Sequence, residues 1–128
     1  MQMPTITTKK GLTIANFSSP HQFLFDDGSI LPGCSPERSK ALMLHPIEKE
    51  TVNPKGFTDI ELKFEMSGEV RKALSESLNS KIDIVIVPLP VMVALKEADI
   101  GEASNLPFRT CRVKDRVTKE VYSNRFCI

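Results

Sequence analysis

Nucleophilic thiol chemistry needs a cysteine beside a general base, and one stretch of this chain favours it locally. Cys34 stands just before Ser35-Pro36-Glu37, which reads as an N-cap, a first helical residue and an acidic first turn. The positive end of a helix favours the thiolate form of a nearby cysteine. His21 and His45 are the chain's 2 histidines, and either could act as the base once the fold brings it close. Cys34, His21 and His45 are therefore the candidate catalytic residues. The local sequence gives them no further support. Gly33-Cys34-Ser35-Pro36 fits no nucleophile motif, and Lys40 stands where a phosphatase-like Cys-to-Arg spacing would need arginine. A small cysteine closing a loop is the simpler account.

A second kind of chemistry is electrostatic. The formal net charge of +1 hides an uneven distribution, with 11 Lys/Arg against 14 Asp/Glu in residues 1–107, but 6 against 2 in residues 108–128. Arg109, Arg112, Lys114 and Arg116 head this basic segment and are the candidate anion or nucleic-acid contacts. A solvated strand face is the stronger reading of these residues. Aromatic side chains do not interleave with them, tryptophan is absent and Tyr122 is the only tyrosine. Nucleic acid is thus a possible partner, but not the favoured one.

Metal and cofactor chemistry find no signature. Cys34, Cys111 and Cys127 are too widely spaced for a zinc pair, and an odd count argues against a disulfide framework. The 6 glycines form neither a dinucleotide nor a phosphate-loop pattern. No metal and no cofactor are expected. Asp83 interrupts an apolar run, but its place near the strand start suits the sheet's solvent end or a neighbouring strand better than a buried acid.

Placing these residues requires the elements. Leu12 and Ile14 share one face of a short strand that ends before Pro20. Asp27-Gly28 between apolar flanks predicts a hairpin over 22–31, with a two-residue turn. A short helix follows Ser35 and must stop before Pro46; a further strand is expected over 47–52. Residues 59–66 alternate strictly, so Ile60, Leu62, Phe64 and Met66 are expected to face the core. Ser67 caps a helix carrying Val70, Leu74 and Leu78 on one face. Residues 82–87 are β-branched and apolar on both faces, as in a central strand. Pro88 and Pro90 lead into a helix over 91–98, a loop over 99–107 follows, and two strands form a second hairpin over 108–128.

Strand, helix and strand over 59–87 read as a parallel β-α-β unit. The expected fold is α+β: a single domain over 1–128, with one mixed sheet and two or three short helices. Helices starting near Ser67 and Pro90 would place a ligand edge at the carboxyl ends of neighbouring strands. Composition is that of a soluble globular chain, 41% hydrophobic and 26% charged, with no apolar run long enough to span a membrane and no leader pattern. A cytoplasmic location is expected. The functional expectation is a small non-catalytic binding or regulatory protein, self-associating or held by a protein partner. The alternatives are a small enzyme using Cys34, or an anion binder using the C-terminal hairpin.

Overall fold

The computed structural model describes residues 3–78, 81–97 and 107–128. Capping chemistry sets two of the three helices among the described residues. Ser35 and Ser67 hold extended backbone, and their hydroxyls accept from the N–H groups of Arg38 and Val70. Helices α1 (Pro36–Ala41) and α2 (Gly68–Ser77) open there. The third helix, α3 (Leu89–Glu97), begins after Pro88, whose carbonyl accepts from Met92 N–H.

The described residues also form nine strands: β1 (Thr5–Thr7), β2 (Thr13–Asn16), β3 (Phe23–Phe25), β4 (Ile30–Leu31), β5 (Pro46–Val52), β6 (Thr58–Phe64), β7 (Ile84–Ile86), β8 (Phe108–Asp115) and β9 (Glu120–Cys127). Seven of them form a mixed sheet in the order β1-β2-β7-β8-β9-β3-β4. The β2–β7, β7–β8 and β9–β3 pairs are parallel, and the remaining three are antiparallel. β4, at one edge of the sheet, comes back against β1 and β2, so the sheet curls. Its inner face packs Ile14, Phe25, Leu31, Ile86 and Val121 together. On the outer face Phe17, Val85, Val87 and Phe108 meet Val70 and Leu74 of α2 and Val91 and Leu95 of α3.

β7 explains why its sequence is apolar throughout. Ile84 and Ile86 join the inner cluster while Val85 joins the outer one, so both faces are covered. Asp83 sits just outside it, exposed, and ties its end to β2. Thr13 N–H donates to Asp83 Oδ2 at 2.8 Å, and Asp83 N–H donates to Thr13 O at 3.0 Å.

The mixed sheet and its few short helices are as the sequence predicts, but three details are corrected. The parallel β-α-β unit expected over 59–87 does not form. β6 belongs to a separate two-stranded sheet with β5, held by seven antiparallel register pairs from Pro46↔Phe64 to Val52↔Thr58. The sheet is therefore not single. The Asn53–Gly56 turn returns the chain locally, which fixes β6 against β5 before any distant strand is needed. The strand-helix-strand unit with parallel neighbours occurs one step later, with β7 and β8 flanking α3 in sequence.

The expected core face of β6 is the second correction. Ile60 and Leu62 are 57% and 55% exposed, and only Phe64 and Met66 reach the outer cluster. Leu78, expected on the buried face of α2, is also exposed. The third concerns the first hairpin, which lies where expected but turns through three residues. Phe25 N–H donates to Ser29 O, Gly28 N–H donates to Phe25 O, and only Gly28 takes a positive φ, of 90°. That geometry is a three-residue loop closed by a glycine bulge, and it pairs Leu24 with Ile30. The second hairpin, β8–β9, forms as expected. Of the loop expected over 99–107, all but Pro107 lies outside the described residues, as does the last residue of the helix expected over 91–98.

Candidate functional site

The carboxyl end of β2 runs into Ser18-Ser19-Pro20, and here the fold is tied by one buried amide. Asn16 is fully buried; its Nδ2 donates to Ser19 O at 3.0 Å and to Pro32 O at 3.1 Å, while its Oδ1 accepts from Ser19 N–H at 2.9 Å. A buried amide with both ends satisfied fixes the two segments it joins. Gly33 packs so closely on this knot that a β-carbon there would lie 2.1 Å from Pro20 O.

Cys34 is part of the same knot. Its N–H donates to Ser19 O at 2.8 Å, and its Sγ donates to Asn16 O at 3.3 Å. Burial pushes the thiol's pKa up, and the adjacent Arg38 guanidinium opposes that rise only in part. Arg38 is engaged in turn: its Nε donates to Phe17 O at 2.8 Å and its guanidinium lies 5.6 Å from the centre of the Phe17 ring. His21 and His45 are both exposed, and no hydrogen bond joins Cys34 to either. The described contacts of Cys34 are thus those of a folding tie.

The basic candidates are dispersed along the second hairpin. Arg109 is half-buried and its Nη1 donates to Phe108 O at 2.8 Å. Arg112, Lys114 and Arg116 are exposed, and Lys114 lies 3.5 Å from Glu120. Two register shifts in β8–β9, between Cys111 and Val113 and between Val113 and Asp115, interrupt the alternation that would align these side chains. Arg116 lies past the end of β8, in the turn.

A concavity lies at the carboxyl end of β7. Val87 N–H makes a last ladder bond to Arg109 O, then Pro88 has no N–H to continue the ladder. The chain swings away into α3 and leaves a cavity of about 630 Å³ between the sheet, α1 and α3. Ile86 and Val121 of the sheet line it together with Leu42 and Val91, and Thr110 and Cys111 line it from β8. None of the described residues lining it carries a charge. Its volume falls within the range of small-molecule sites, roughly 300–1,000 Å³.

Two polar groups in this lining matter. Burial pushes the Cys111 thiol's pKa up to about 12, with Cys127 nearby adding to the rise, so Cys111 stays protonated at neutral pH. Ser39, on α1, is 8% exposed, and its buried Oγ has no hydrogen-bond partner among the described residues. A buried hydroxyl left unpaired costs about 1–3 kcal/mol, so this position favours any group that could accept from it. Among the described residues no group of three or more His, Cys, Asp or Glu could hold a metal ion, and no helix is long and apolar enough to cross a membrane.

Sequence reading missed this cavity as a site. Its lining comes from segments far apart in the chain, and each residue type is ordinary for a core. The only local pointer was Pro88-Leu89-Pro90, which ends a fully covered strand at the edge where ligands of such sheets sit. No protein-family model, curated protein or solved structure matches the chain.

Proposed function

We propose that this protein is a non-catalytic binding protein, and that its site is the uncharged cavity at the carboxyl end of β7. The observation that carries this reading is the chemistry of the lining. A space of about 630 Å³ is bounded by apolar side chains and a few hydroxyls, and its one thiol is held protonated. Acid–base work at neutral pH calls for a group that titrates there, and the described lining offers none. The matching ligand is uncharged and mainly apolar, because a charge buried there would meet no counter-charge.

A neutral fluorescent naphthylamine is a suitable probe. Titrated into the protein, it should bind saturably and brighten. Thr110→Phe, which places a ring in the cavity, should abolish that binding while the circular dichroism spectrum stays native. Met43→Trp, at the exposed rim, should weaken it. Absence of saturable binding, or binding that both variants leave intact, rejects the reading.

A further inference from the structure

The ribbon of β5 and β6 meets α3 and the outer cluster only near Phe64 and Met66, and the rest of its length is exposed among the described residues. Every residue of β5 is exposed, with Val52 at 77%, and so are Ile60 and Leu62 of β6. A lone two-stranded ribbon is marginal in water. Its cross-strand register places Glu48 beside Leu62 and Glu50 beside Ile60, so one face carries an apolar centre with acidic flanks. The other face sets Lys49 beside Glu61 and Ile47 beside Lys63.

The backbone settles which edge is open. Asn53 N–H donates to Phe57 O at 2.7 Å, which makes that pair hydrogen-bonded. Alternation along an antiparallel ladder then turns the N–H and C=O groups of Asp59, Glu61 and Lys63 toward β5. Those of Thr58, Ile60, Leu62 and Phe64 point away from it. β6 has no strand on that side among the described residues.

We infer that β6 pairs antiparallel with β6 of a second copy of this chain, about a two-fold axis at Leu62. Residues that face each other across a strand pair share a sheet face, so an axis must fall on a residue rather than between two. At Leu62, Leu62 meets the partner's Leu62, Ile60 meets the partner's Phe64, and Glu61 meets the partner's Lys63. Over the paired residues 60–64, apolar groups fall on apolar groups and each charge falls on its opposite; Asp59 and the partner's Glu65, both acidic, meet only past the end of β6. Moving the axis to Glu61 sets two glutamates directly opposite, and moving it to Ile60 sets Asp59 against the partner's Glu61; like charges so placed are destabilising. The Leu62 register also continues the polar row: Lys49, Glu61 and the partner's Lys63 alternate in sign across the sheet. The result is a continuous four-stranded sheet, with the two β5 strands outermost and Pro46 blunting their edges.

Sedimentation of the full chain over a range of concentrations provides the test. The wild-type protein should dimerise reversibly. Glu61→Lys and Lys63→Glu alone should each weaken the dimer at least tenfold, since each puts like charges across both equivalent contacts. Mixing the two variants should restore dimerisation as a heterodimer, because every 61-to-63 contact is then again of opposite sign. That restoration also shows that both variants are folded. A monomer at all concentrations, a dimer indifferent to the single reversals, or a mixture that stays monomeric would each overturn the proposal. The cavity takes no part in this test, so its result is independent of the ligand reading.

Discussion

Three glycine-closed hairpins stand among the described residues, at Gly11, Gly28 and Gly56, and the last two turn the chain in the same way yet meet opposite fates. In one of these two, Asp26-Asp27-Gly28 closes β3 on β4, with Gly28 at φ 90°. In the other, Pro54-Lys55-Gly56 closes β5 on β6, with Gly56 at φ 95°, and Asn53 N–H donates to Phe57 O just as Phe25 N–H donates to Ser29 O. Side-chain support comes from different positions: Asp27 Oδ1, mid-loop, accepts from Ser29 N–H, whereas Asn53 Oδ1, just before its loop, accepts from Lys55 N–H. Yet Phe25 and Leu31 are buried while Ile60 and Leu62 are exposed. The difference is a third strand. β9 pairs with β3 and fastens the loop, since Asp26 N–H donates to Val121 O and Asp26 Oδ1 accepts from Ser123 N–H. Turn geometry is written into a few adjacent residues, whereas burial depends on what the finished hairpin meets.

That contrast can be broken by truncation. Phe25→Ala should cost about 3–5 kcal/mol in urea unfolding, because it empties a site inside the curled sheet. Ile60→Ala, measured in dilute monomer, should stay within about 0.5 kcal/mol. A comparable loss at Ile60 would mean the ribbon is packed within one chain. A smaller effect sharpens the likeness: Gly28→Ala and Gly56→Ala force an alanine into the left-handed region, and each should lose about 1–2 kcal/mol. Unequal losses would show that tertiary contacts, not the turn, set that cost.

The smallest effect is a pH dependence confined to the β3–β4 hairpin. The hydrogen bonds from Ser123 hold Asp26 below its usual carboxylate range. At Asp27 burial acts to raise the pKa, but hydrogen bonds from Ser29 and Lys9 together with the Lys9 charge outweigh it, and the net shift is again downward. A folded pKa below the unfolded one gives stability that is complete above the unfolded value and lost as pH falls through the folded value. Both groups are largely solvated, so the contribution is small. Nuclear magnetic resonance should show the Ser123 amide losing exchange protection under acid, with no matching change at Asn53. Asp26→Asn should flatten that dependence.

The parts of this fold that could be read in advance are those decided within a few residues. Ser35 and Ser67 announce their helices, Asp27-Gly28 announces a turn, and the unbroken apolar run around Val85 announces a covered strand. The strict alternation of β6 was equally legible as a pattern but misleading as a burial map. Alternation reports that one face seeks an apolar neighbour, and the chain itself supplies one only at Phe64 and Met66. β1 gave no signal because Thr5-Ile6-Thr7 is too short to show a period. Cys34 drew attention through its position before a helix, whereas its actual partners, Asn16 and Ser19, come from an earlier strand and loop. The cavity was hidden for the same reason: Ser39, Pro88 and Thr110 converge only through the topology.

The pair of bonds between Thr13 and Asp83 spans 70 residues of sequence. β2 and β7 are the heart of the curled sheet, so that heart cannot assemble until the polypeptide has closed a very large loop, with α1, the ribbon and α2 all inside it. Closing such a loop comes at an entropic cost before any contact rewards it, which slows the search for the native state. The local hairpins and capped helices close far shorter loops, so the largest share of that cost falls on the meeting of the two distant halves.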